Sequence, residues 1–299
     1  MRLAPVTDET ATGYYGNPVL KAPVWKPVIA LYFFTGGVAG ASSTLGFAAL
    51  LTGNRRLARS ALLASAAGIA VSGPLLVVDL GRPARFLNML RVAKPTSPMS
   101  VGSWILSAFA PASMLAAGSA VTGRLPRTGR VAAGAAGVLG PAVATYTAVL
   151  VADTAIPAWH DAHRELPYLF AASAAASAAG TALALTPVPD AGPARRLAAM
   201  GAALELAAFR AMERRLGEVA GPYKEGRAGT LARAAEACTA AGAALGLVAG
   251  RRRPVAVAAG ALLCAGSLLT RHSVFRAGFE SAADPAATIG PQRSRRAAG

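Results

Sequence analysis

Tyr32, Asp79, Arg82 and Tyr146 combine side-chain type and position in a way that could do chemistry: two phenols, a carboxylate and a guanidinium beside strongly apolar runs. Asp79 closes the second such run. A carboxylate at the edge of a low-dielectric region holds its proton more tightly unless a cation stands near, and Arg82 follows three residues later. Two readings are open: Asp79 pairs with Arg82 or Arg85 and fastens the loop, or it accepts a proton beside a redox ligand. Tyr32 lies five residues beyond Pro27, about 7 Å into a helix that begins there. That depth suits either a contact to a polar head group or an aromatic-belt anchor. Tyr146 stands seven residues before Asp153, at a similar depth in its own run. Gly36, Gly37 and Gly40 would let a neighbouring helix or a flat ligand come close.

The elements that must position these groups follow from the composition. The chain has 299 residues, of which 54% are hydrophobic and only 15% charged, with a mean hydropathy of +0.44. Soluble domains carry about 25% charged residues, so lipid is the expected solvent. The net charge of +16 comes without a basic helix face interleaved with aromatics, which excludes nucleic-acid recognition. Arginines between apolar runs serve better as headgroup anchors and topology signals. Cys238 and Cys264 sit inside apolar runs and form neither a disulfide framework nor a metal site. The first residues lack the basic-then-apolar pattern of a cleaved signal peptide, so the first apolar segment is expected to remain.

At about 20 residues per crossing, eight runs qualify: 28–51, 57–80, 102–122, 131–152, 167–186, 194–209, 231–249 and 255–269. The sixth is the shortest in apolar character. Backbone in lipid must satisfy its own hydrogen bonds, and runs this long are helices rather than barrel strands. The expected fold is therefore all-α and polytopic, with eight transmembrane helices in two four-helix bundles. Residues 1–27 form an N-terminal segment, 28–152 the first bundle, 167–272 the second and 273–299 a tail. Alanine and glycine dominate the spans, which favours close helix packing. Trp25 and Lys26 precede Pro27, a residue suited to a first helical turn.

An even number of spans puts both termini on one membrane face. Tyr32, Asp79 and Tyr146 then share that face, because odd spans begin and even spans end there. Glu205 and Glu236 fall near the same face, with Arg210 and Arg233 close by. They form either an ion network between the sixth and seventh spans or a proton route. More basic residues lie on the termini side, yet the short loops opposite are almost free of acids, so the two forms of the positive-inside criterion disagree. Between the second and third runs, the stretch 77–104, VVDLGRPARFLNMLRVAKPTSPMSVGSW, concentrates Asp79, Arg82, Arg85, Asn88, Arg91 and Lys94. It reads as a functional surface at the membrane edge, or else as a connector whose arginines meet lipid phosphates.

Other chemistries lack their residues. His160 and His163 lie in a loop and His272 at the end of the last run, so no facing pair of imidazoles is placed to hold haem. His160, Asp161 and His163 lack the closed ligand set of a zinc site, and no phosphate loop opens a helix after a strand.

Two segments, YYGNPVLKAPVWKP…YFFTGGVAGASS and DLGRPARFLNMLRVAKPTSPMSVGSW, resemble the membrane subunits of the NrfD/PsrC, polysulfide-reductase type. The resemblance covers the first four spans, and ERRLGEVAGPYKEGRAG at 213–229 is similar to the second half of members with shorter loops. It implies a haem-free quinone subunit of eight helices, in the inner cell membrane, that anchors a ferredoxin-like four-cluster iron–sulfur protein. That protein in turn serves a molybdopterin catalytic subunit of formate dehydrogenase, polysulfide or tetrathionate type. Menaquinone or ubiquinone would be the substrate, and the chain alone would be inactive. Tyr32 stands at the position of the family's first-helix histidine, Tyr146 at its fourth-helix tyrosine and Asp79 at the acidic residue before its RP-RF motif. Arg82 belongs to that motif. The change from imidazole to phenol at Tyr32 is a departure from the pattern. Arg82, Arg85, Arg91, Lys94, Arg214, Arg215, Lys224 and Arg227 would form the docking surface. Two other functions compete: a proton or small-solute transporter using Glu205, Glu236 and Asp79, or a structural anchor whose quinone site has decayed.

Overall fold

A computed structural model describes residues 20–21, 23–81, 84–249 and 252–284, apart from the side chains of Phe86 and Ala249. Arg82 lies outside the described residues, as do 1–19 of the expected N-terminal segment and 285–299 of the expected tail. The described chain is helical throughout. Its elements are α1 (Val28–Leu51), α2 (Arg55–Leu80), α3 (Ala84–Met89), α4 (Pro98–Thr122), α5 (Pro126–Ala152), α6 (Pro157–His160), α7 (Leu166–Leu185), α8 (Gly192–Leu216), α9 (Gly221–Lys224), α10 (Gly226–Ala249) and α11 (Arg253–Ala283).

Seven of these helices, α1, α2, α4, α5, α7, α10 and α11, are long and apolar enough to cross a membrane. The chain is a polytopic all-α membrane protein. Outward-facing Met114, Val131, Val138 and Val248 are large, apolar and exposed, as lipid requires. The sixth expected span falls within α8, which has the length of its neighbours but carries Arg195, Arg196, Glu205, Arg210, Glu213, Arg214 and Arg215. The last expected span ends at 269, yet α11 continues to Ala283. Its polar residues do not stop it because they find partners inside the protein: Thr270 Oγ1 donates to Glu205 Oε1 at 2.7 Å, Arg271 Nη2 to the Phe170 carbonyl at 2.7 Å and Ser273 Oγ to the Ala228 carbonyl at 2.9 Å.

Packing partners define how the helices surround the cavity described below. α1 lies against α2 and α5, and α4 joins α2 to α5; α7 lies against α8 and α11, and α10 joins α8 to α11. α1 and α7 form the main seam between the two sets. Small residues permit these contacts. At the crossing of α1 and α5, a side chain on Gly40 would put its Cβ 3.0 Å from the Ala144 backbone nitrogen, so only glycine lets the two backbones meet there. Hydroxyls then bridge the helices: Ser43 Oγ donates to the Ala136 carbonyl and Thr44 Oγ1 to the Gly137 carbonyl, each at 2.9 Å.

The loops on the termini side are tied down by Trp159, which is fully buried. Its Nε1–H donates to the Val274 carbonyl at 2.6 Å, and its ring centroid lies 5.4 Å from that of Trp25. Tyr223, between α8 and α10, donates to the Ala158 carbonyl at 2.9 Å. Burial pushes its phenol up from the ordinary tyrosine range, so it stays a donor.

Candidate functional site

Each helix around the termini-side end of α1, α2, α4 and α5 contributes residues at helical spacing to one cavity of about 350 Å³. α1 supplies Ile29, Tyr32 and Phe33, and α2 supplies Leu76, Asp79 and Leu80. α4 adds Met99, Ser103 and Leu106, while α5 adds Tyr146 and Leu150. Residues three and four apart share a helix face, so these short sets point one way by construction. Val24 and Trp25, ahead of α1, and Arg85 and Met89 of α3 complete the lining. The lining is mainly apolar with a few polar groups, the usual make-up of a site for a lipophilic ligand.

Tyr32, Asp79 and Tyr146 are thus brought together, from three helices, on the same cavity. Tyr32 is 2% exposed, and its hydroxyl has no hydrogen-bond partner among the described residues. A buried polar atom of that kind is costly and rare. The Tyr32 ring is held beside Phe33, with centroids 6.2 Å apart. Tyr146 owes its place to Gly102 on α4: a Cβ there would lie 3.3 Å from Tyr146 Cζ and nearer still to Cε2 and Cδ2. Glycine at 102 makes room for the ring.

Asp79 is not fastened by Arg85. Its Oδ1 accepts from the Lys26 backbone N–H at 2.9 Å, and Lys26 Nζ donates to the Val78 carbonyl at 2.8 Å. The end of α2 therefore clamps the start of α1. Asp79 Oδ2 makes no hydrogen bond among the described residues. Arg85 Nη1 donates to the Leu80 carbonyl at 2.9 Å, which folds α3 back over the cavity. Gly81 permits that turn with a φ of 74°, in the left-handed region that favours glycine.

Ser103, Met89 and Met99 are among the cavity residues that escaped the sequence reading. Ser103 donates to the Ser100 carbonyl at 2.8 Å and keeps acceptor capacity. The signal for it was present, because Met99, Ser103 and Leu106 follow helical spacing.

The second helix set holds its own polar cluster. Arg210 pairs with Glu236 at 2.6 Å and Arg233 donates to the Lys224 carbonyl at 2.7 Å. Glu205 joins neither arginine. It is buried against Thr270 and, at 3.5 Å, Thr239, with the Arg271 charge acting on it. Arg271 is fully buried, stacks 3.7 Å over the Phe170 ring and leaves Nε and Nη1 without partners among the described residues. Sequence reading missed it because the span seemed to end two residues earlier.

Of the basic loop residues, Arg215 is taken up by Glu165, with Nη2 to Oε2 at 2.5 Å, and by the Asp161 carbonyl. Arg91, Lys94, Arg214, Lys224 and Arg227 remain exposed.

Fold and cavity together define a class: a multi-pass helical membrane protein with a lipophilic, partly polar chamber at one end of its first four crossings. Within that class the family model for polysulphide reductase NrfD matches residues 16–207, from the segment ahead of α1 through most of α8. The chain belongs to the NrfD family. Members are generally membrane subunits that partner other components of oxidoreductase complexes. No curated protein matches the chain.

Proposed function

We propose that this chain is the quinone-reactive subunit of a membrane oxidoreductase, with the quinone head group held among Tyr32, Asp79 and Tyr146. The observation that carries the reading is the convergence of those three side chains on one apolar cavity, one of them a buried phenol without a partner. Reduction takes two electrons and two protons per quinone and turns both ring carbonyls into hydroxyls; oxidation of the quinol reverses this. The electrons come from an iron–sulfur partner. This chain's residues bind, orient and handle protons. The Tyr32 hydroxyl donates to one carbonyl oxygen and so gains the partner it lacks in the protein. Tyr146, on the α5 side, offers a second phenol. Asp79, clamped through Oδ1 and with no hydrogen bond at Oδ2 among the described residues, passes protons at the cavity mouth, where water can reach it. General acid–base groups of this kind must sit within hydrogen-bond reach of the reacting oxygen.

The same reading makes α8 an eighth crossing and the two helix sets a pair of four-helix bundles. The charges of α8 lie towards its two ends, Met200 and Leu204 face outward, and Glu205 is turned inward. Arginines at helix ends can extend to the headgroups. A ferredoxin-like four-cluster subunit would dock on the exposed basic side chains Arg91, Lys94, Arg214, Lys224 and Arg227. Such charges set encounter rate and register. A molybdopterin enzyme would complete the complex in the inner cell membrane.

The test uses the assembled complex, with Tyr146→Phe and Asp79→Asn. Both should lower quinone-linked turnover while the subunits still co-purify. Turnover equal to wild type in both variants would remove the site assignment, and purification without any iron–sulfur protein would favour the transporter instead.

A further inference from the structure

The opposite end of the same helices carries a second chamber that the quinone reading does not use. It has a volume of about 510 Å³ and lies where α1 and α4 end and α2 and α5 begin. Leu50, Leu62, Ala116 and Ala120 make its apolar wall, and Arg55 and Arg130 stand at its rim. No Asp or Glu occurs at 51–62 or 116–130. Asp190, bonded to the α1–α2 turn through Asn54, is already paired with Arg56 at 3.2 Å. Among the described residues, Arg55 and Arg130 form neither a side-chain hydrogen bond nor an ion pair. Next to the chamber, Val121, Leu125 and Val131 are exposed, which places this rim at a lipid-facing surface.

An occupant must match an apolar wall and two unpaired guanidinium groups at headgroup depth. A neutral lipid leaves the arginines unanswered, and a soluble anion leaves the wall wet. We propose that this cleft binds one anionic phospholipid, its phosphate between Arg55 and Arg130 and an acyl chain along Leu50, Leu62, Ala116 and Ala120. The site is independent of the quinone cavity, and its readout is lipid occupancy rather than turnover.

Native mass spectrometry of the delipidated full-length protein, titrated with phosphatidylglycerol, phosphatidylcholine or inorganic phosphate, tests the assignment. One phosphatidylglycerol per chain should bind in preference to phosphatidylcholine, and R55Q/R130Q should weaken it about 25-fold, from the attraction of two arginines to an anionic headgroup. Ala120→Trp, which fills the wall and keeps both charges, should also block binding, whereas Arg164→Gln, a charge removed elsewhere, should not. Equal affinity for phosphatidylcholine, unchanged binding in R55Q/R130Q, or protection from thermal unfolding by inorganic phosphate equal to that by lipid would overturn the proposal.

Discussion

Replacing Tyr32 by phenylalanine separates a ligand-binding phenol from a packing one, because the two roles predict opposite signs. The substitution keeps the ring beside Phe33 and removes only the hydroxyl, which is buried and partnerless. Leaving a buried polar group unsatisfied costs about 1–3 kcal/mol, so the quinone-free Tyr32→Phe protein should be more stable than wild type by an amount in that range. Binding should move the other way. A neutral hydrogen bond is worth about 0.5–1.5 kcal/mol, so affinity for a quinone analogue should fall about 2- to 12-fold. The assay pairs a thermal unfolding scan of quinone-stripped protein with an analogue titration by tryptophan quenching, Trp25 being part of the cavity lining. Stability up and affinity down would support the reasoning. Unchanged affinity, or a drop in stability without ligand, would refute it and return Tyr32 to the aromatic belt.

Two further substitutions probe the positions around the site. Gly102→Ala puts a methyl group into the Tyr146 ring; such overpacking costs about 1–3 kcal/mol, and the displaced ring should raise the quinone KM in the complex more than it lowers kcat. In the other helix set, Arg271→Leu removes the charge that acts on buried Glu205 and the donor to the Phe170 carbonyl, and should destabilise the protein by about 1–3 kcal/mol. Adding Glu205→Gln should recover part of that loss in thermal unfolding, and strict additivity of the two changes would show them uncoupled.

The fold was largely legible because the lipid imposes its own grammar. Seven apolar runs read from hydropathy correspond to seven helices, and counting crossings was enough to put Tyr32, Asp79 and Tyr146 at one end of the molecule. Where charge and helix continuity conflict, hydropathy loses its hold. α8 has the length of a span but not the composition, and α11 runs past Arg271 and Ser273 because Phe170 and Ala228 offer them carbonyls. A window of sequence holds no information about such partners on other helices.

The site shows the same division at the scale of single side chains. Depth along a helix follows from residue count, and shared faces follow from spacings of three and four, so the cavity's lining on each helix was within reach of the sequence. The aim of a side chain is settled by what stands opposite. Tyr146 reaches the cavity because residue 102 of α4 is glycine, a choice that in isolation reads as one more small residue for helix packing. Asp79 illustrates the reverse case. Three residues of separation point to Arg82, which lies outside the described residues, but no spacing points to the Lys26 N–H, 53 positions earlier, which donates to Oδ1. That long-range clamp is why Asp79→Asn is a discriminating change: an amide oxygen can still accept from Lys26 and hold α1 to α2, but it cannot take up a proton at neutral pH. Loss of turnover with an intact fold in that variant therefore reports on the carboxylate at the cavity rather than on the clamp between α1 and α2.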